Sequence, residues 1–208
     1  MTDSPLLTIL LFAGAVCLAK LWLDDYRATE AGQPNPKALP GAFSASAVAI
    51  WIGVIGAILL VALETAGEIA LGVSTEQSDI AAIFLLAMLG AGILEEILFR
   101  GYLVIQTKGK NILILSILGF SLVFALLHYQ YYTSTEETGD SLTVTFNLNA
   151  KAGWSLLILF LNSLWFYTVR FFKWNPLRSL LPCFAAHIAS NAAVFLVKLA
   201  QGHVTSLW

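Results

Sequence analysis

The chain has 208 residues, 58% of them hydrophobic and only 12% charged, with a net charge of -2 and a mean hydropathy of +0.79. Those shares lie far from a soluble globular domain, and six Trp and six Tyr with no basic patch beside them exclude a nucleic-acid partner. What remains is an all-α polytopic transmembrane bundle. Spans of about 20 residues with short connections allow about six helices in a single domain over residues 1–208, with no room for a soluble module.

Hydropathy predicts spans at residues 5–23, 42–63, 80–105, 112–132, 152–172 and 180–200. Residues 1–4 carry no Lys or Arg, and Val16 rather than a small residue precedes Cys17, so a cleavable secretory signal is not expected. Cys17 and Cys183 lie in apolar runs and read as unpaired core residues. Residues 24–41, with Pro34, Pro36 and Pro40, read as an extended polar linker. Glu64 and Glu68, four apart at the end of the second span, predict an interfacial rim, with a cavity mouth as the alternative. In the third span Gly90, Ala91 and Gly92 permit close helix approach or a widened backbone just before Glu95 and Glu96.

After the fourth span, Glu136, Glu137, Gly139 and Asp140 predict a turn. Leu142, Val144, Phe146 and Leu148 then alternate with Thr143, Thr145, Asn147 and Asn149, a period of two that predicts a short β-like segment at 141–149. It reads as a half-buried surface hairpin over the bundle or, alternatively, an edge that pairs with an extended substrate segment. Asn162 and Ser163 in the fifth span predict interhelical hydrogen bonds, and His203 falls in a solvated polar tail. The loops after spans one, three and five, with their flanks, carry Lys20, Arg27, Lys37, Lys108, Lys110, Arg170, Lys173 and Arg178, against Lys151 and Lys198 on the other side. By the positive-inside rule both termini are non-cytoplasmic.

A carboxylate at membrane depth costs from roughly 2.5 to more than 10 kcal/mol, so intramembrane acids face a protein interior or a wet cavity. Glu96 and Arg100, four apart, share a helix face and can form an ion pair. Glu95, rotated by roughly 100 degrees, is left available for proton transfer. These three alone could equally be a structural network. Phe124-x-x-x-His128 in span four and His187-x-x-x-Asn191 in span six are each one helical turn apart, and each taken singly reads as a satisfied core histidine or as helix-helix glue. Together the three clusters supply an acid or base, two imidazoles, an amide donor and an arginine, which is a hydrolytic inventory. Straight, upright helices would leave His128 about 9 Å outward of Glu95; a tilted third span or a fourth span ending early near His128 would close that gap.

Glu95-Glu96-x-x-x-Arg100 continuing into Gly101-Tyr102, then Phe124-x-x-x-His128, then His187-x-x-x-Asn191 with Leu180-Leu181-Pro182 ahead of it, resembles the three-motif signature of the CPBP intramembrane proteases. That family includes type II CAAX prenyl endopeptidases and bacterial Abi-type members, and the resemblance covers a core of about 80–200. It implies a glutamate-type endopeptidase without a cofactor, acting in the lipid bilayer on a membrane-tethered protein or peptide. Glu95 and His128 would orient and deprotonate water, His187 and Asn191 would stabilise the oxyanion, and Glu96, Arg100 and Phe124 would support the site. Zinc held by Glu95, His128 and His187 with an open fourth position is the alternative. The metal-free reading is preferred because the short His-Glu-x-x-His spacing is absent and His187-Asn191 suits an oxyanion clamp better than a ligand pair. Two other classes stand beside it: a proton-coupled transporter, whose mark of broken helices in matching halves the sequence lacks, and a non-catalytic membrane binding or immunity protein that retains the fold.

Overall fold

A computed structural model describes residues 4–128, 133–138 and 141–208, with backbone alone at 134–138 and 141–143. The helices start where the sequence offers caps. Ser4 precedes α1 (Pro5–Glu30), which has proline in its first turn, Ser46 Oγ accepts from Ala49 N ahead of α2 (Ala47–Ala70), and Asn149 Oδ1 accepts from Ala152 N ahead of α5 (Ala150–Phe171). Helix α3 (Phe84–Glu95) runs directly into a π-helical stretch, Glu96–Leu103. Helices α4 (Lys110–Leu127) and α6 (Leu181–Ala200) complete the bundle. Strand β1 (Ile80–Ala81) pairs in parallel with β4 (Val204–Ser206), and β2 (Thr133–Thr138) pairs antiparallel with β3 (Ser141–Phe146).

Helices α1, α2, α4, α5 and α6 are each long and apolar enough to cross a membrane. The third predicted span is the α3 and π-helical run, which carries the two glutamates and Arg100. Only 11% of the apolar window of α1, and 22% of those of α2 and α4, is buried within the protein. The rest, with Leu10, Trp51, Leu59, Leu115 and Leu122 facing outward, is a surface suited to lipid rather than water. The protein is an integral membrane helical bundle.

Helix α3 lies between α1 and α6, α2 packs on α5 and α6, and α4 closes against α5. Small residues set the α3 approach on both sides. A Cβ on Gly90 would sit 3.2 Å from Ala15 Cβ, and one on Gly92 would sit 3.1 Å from Ile188 Cγ1, the residue after His187. The predicted close approach at 90–92 is therefore present, and the widened backbone lies just beyond it, in the π-helical turns.

Several expectations are corrected. Helix α1 continues through the first part of the predicted linker because nothing breaks it before Gly32, and Lys20 and Asp24 form an i,i+4 pair at 2.7 Å. The remaining linker is tied down by Asp25, which accepts from Asn35 Nδ2 and Leu39 N, both at 2.8 Å. Cys183 is buried as expected, but Cys17 is exposed on the outward side of the peripheral α1. The hairpin forms by pairing of β3 with β2, yet Val144, Phe146 and Leu148 are 50%, 73% and 71% exposed rather than half-buried. Gly139 and Asp140 of the predicted turn and residues 129–132 of the fourth predicted span lie outside the described residues.

The same holds for several charges. Arg170, in the last turn of α5 beside the fifth loop, is buried rather than open to solvent, and its Nε donates to the Arg178 carbonyl. His203 is only partly exposed, its Nδ1 in hydrogen-bond contact with Asp79 Oδ1 at 2.9 Å in a tail organised by β4. Glu68 is 1% exposed, taking hydrogen bonds from Lys151 and Gln77, while Lys198 donates to Gln77 Oε1 and to the Ser78 carbonyl. This is a buried polar cluster, not an interfacial rim. At the opposite end of the bundle, Arg178 reaches Gln106 at 3.1 Å, Ser46 Oγ donates to the Trp174 carbonyl, and Leu180 N donates to the Gly41 carbonyl. These contacts gather the three basic loops together.

Candidate active site

Glu96 and Arg100 are both 0% exposed. Arg100 Nη1 lies 3.1 Å from Glu96 Oε1, close enough for an ion pair though not aligned as a hydrogen bond. Arg100 Nη2 donates to Ser163 Oγ at 2.7 Å and to the Ser163 carbonyl at 3.2 Å, fixing the guanidinium on α5. Its carbon sits 4.7 Å, 4.8 Å and 5.1 Å from the ring centroids of Phe124, Tyr167 and Phe166, an aromatic seat that replaces water around the cation. Tyr167 is held in turn by donating its hydroxyl to the Phe99 carbonyl at 2.9 Å. The charge of Glu96 is thereby matched inside the bundle.

The second partner of Glu96 Oε1 is the His187 imidazole. His187 Nδ1–H donates to Glu96 Oε1 at 2.7 Å, and the ring stacks on Phe166 with centroids 4.7 Å apart. In the neutral ring this leaves the lone pair on Nε2, which faces Glu95 Oε2 at 3.9 Å. Nε2 can donate only when the ring holds both protons. Glu95 differs from its neighbour in exposure: its side chain is 30% exposed where that of Glu96 is fully buried, while Oε2 of each makes no hydrogen bond.

The Phe124-x-x-x-His128 spacing has a local cause. Helix α4 ends at Leu127, and His128 Nδ1–H turns back to donate to the Phe124 carbonyl at 2.8 Å, satisfying one of the acceptors that every helix C-terminus leaves open. That bond fixes the tautomer and makes Nε2 the basic nitrogen of the neutral ring. Phe124 packs 4.9 Å from the His128 ring, 6.1 Å from the His187 ring and edge-on to Phe99 at 5.3 Å, so one side chain supports both imidazoles and Arg100. Helix α4 ends before His128, and His128 and Glu95 line the same cavity.

Glu95, His128, His187 and Asn191 line one cavity of about 310 Å³, together with Glu64, Asn162 and Ser190. Glu96, Arg100 and Phe124 stand behind its wall. Asn191 Nδ2 donates to the Met88 carbonyl on α3 at 2.6 Å, which leaves the amide a second N–H for another acceptor. Among the described residues no group of three or more His, Cys, Asp or Glu is spaced to hold a metal ion.

The sequence missed the α5 contribution. Ser163, Phe166 and Tyr167 recur at helical spacing on α5 and make the seat of Arg100, a pattern visible in principle but without a charge to mark it. Ser163 does form the predicted interhelical bond, whereas Asn162 lines the cavity. Glu64 takes the cavity-mouth alternative rather than the rim.

The fold is that of an integral membrane helical bundle, with two carboxylates, two imidazoles and two amides around one cavity. Residues 77–193, more than half of the chain, match the family model described as type II CAAX prenyl endopeptidase, Rce1-like. The chain belongs to that Rce1-like family, whose members are peptide hydrolases. No curated protein and no solved structure matches it.

Proposed function

We propose that the protein is an intramembrane endopeptidase that hydrolyses a peptide bond in a membrane-tethered protein or peptide, using water activated by Glu95 and His128. The observation that carries this reading is the contrast between the two glutamates: Glu96 is fully buried behind the cavity wall, paired with Arg100 and bonded to His187 through Oε1, whereas Glu95 lines the shared cavity with its side chain 30% exposed. A water between Glu95 and His128 Nε2 would give a proton to the carboxylate as its oxygen adds to the scissile carbonyl carbon. The oxyanion would accept the second N–H of Asn191 and, with the ring doubly protonated, His187 Nε2–H. Collapse breaks the C–N bond, and the leaving amine takes up the proton held by Glu95. The whole of residues 1–208 would act as one transmembrane domain, with the catalytic core at about 80–200. The gathered basic loops favour an orientation with both termini away from the cytoplasm.

No cofactor enters this mechanism, and zinc provides its sharpest test. Protein purified without added metal is expected to lack stoichiometric zinc by elemental analysis and to keep its proteolytic activity after exhaustive chelation. Complete loss on chelation, with recovery on adding zinc, would overturn the metal-free mechanism, because only a bound ion would then bring the water near neutral pKa.

A further inference from the structure

We infer that Asn162 is a substrate-positioning residue whose side-chain amide holds the main chain of the substrate beside the scissile bond. This rests on the proteolytic reading above. Asn162 is 7% exposed and lines the same cavity as Glu95, His128, His187 and Asn191. Its Oδ1 is buried without a hydrogen-bond partner. A buried amide oxygen left unmet is unfavourable, so such a group in a cavity is a place where a ligand supplies the missing donor. Helix α5 is not free to turn this residue elsewhere, since the adjacent Ser163 is bonded to Arg100 through both its hydroxyl and its carbonyl.

The chemistry of the ligand follows from the group. A carboxamide presents one acceptor and two donors in a plane, the pattern needed to receive a backbone N–H and return a hydrogen bond to a backbone C=O of an extended peptide. It carries no charge to select a particular side chain. Asn191 is already committed to the Met88 carbonyl, so the two amides divide the work: Asn191 at the oxyanion, Asn162 on the main chain next to it. An ordered water on Oδ1 is the competing occupant.

The test uses the full chain in vesicles with a membrane-tethered peptide that it cleaves, and a set of the same peptide N-methylated singly at each backbone amide flanking the scissile bond. Asn162→Ala is expected to lower kcat/KM about tenfold, chiefly through KM, the loss of one hydrogen bond. At one flanking position N-methylation should lower wild-type kcat/KM by a similar factor and add no further loss in Asn162→Ala. Asn162→Asp, which keeps an oxygen acceptor at the same place, should retain the sensitivity to N-methylation and serves where the alanine variant does not fold. Wild-type kinetics in Asn162→Ala, equal N-methyl penalties in wild type and variant, or a wild-type scan with no sensitive flanking amide would each overturn the inference and leave a water-filled corner. Failure of the wild-type chain to cleave any tethered peptide is the different result that sinks the proteolytic reading itself, and this inference with it.

Discussion

Glu95→Gln is expected to abolish measurable proteolysis, with kcat down about 10²- to 10⁴-fold, while the thermal unfolding midpoint stays at the wild-type value. Glutamine preserves the shape of the side chain and removes only its capacity to take a proton. Glu95 Oε2 makes no hydrogen bond and the side chain is partly open to the cavity, so nothing structural is lost with the charge. Activity within tenfold of wild type would move the role of base to another group. His128, whose Nδ1 bond to the Phe124 carbonyl leaves Nε2 basic, is the first to consider.

Arg100→Ala is expected to have the opposite profile and cost roughly 3–5 kcal/mol of stability, read as a large fall in the unfolding midpoint in detergent, because it strands a fully buried Glu96. It also empties the space between Phe124, Phe166 and Tyr167. Arg100→Lys should fall between the two. It restores the charge but not the planar fork that reaches both oxygens of Ser163. An unfolding midpoint for Arg100→Ala equal to that of wild type would show that Glu96 and Arg100 do not hold the site together.

Much of the site was legible because helical spacing alone assigns neighbours one turn apart. Glu96 with Arg100, Phe124 with His128, and His187 with Asn191 are pairs of that kind. What joins the pairs was not legible, since contacts such as His187 to Glu96 and Arg100 to Ser163 bridge helices 91 and 63 residues apart in sequence. Straight-helix arithmetic separated His128 from Glu95, whereas in the fold α4 ends at Leu127 and the two residues line one cavity.

Elsewhere the failures have the same root. Glu68 looked like a rim residue from its place at the end of an apolar run, and its burial depends on Gln77 and Lys151 arriving from other segments. Asn162 and Ser163 are consecutive polar residues on one helix, and consecutive residues point in different directions. One meets Arg100 and the other the cavity, a difference that no local pattern expresses. The period of two at 141–149 was enough to predict a strand but silent on whether anything covers it.

The most direct measurement is mass spectrometry of the fragments that the purified protein releases, in vesicles and heavy-oxygen water, from peptides tethered by a lipid or by a membrane span. An intramembrane peptide hydrolase with Glu95 as its base should cut at a defined peptide bond, leave a new C-terminal carboxyl bearing an oxygen from solvent, and release nothing in the Glu95→Gln variant. No new terminus from any tethered peptide with folded wild-type protein, or undiminished cleavage by Glu95→Gln, would contradict it.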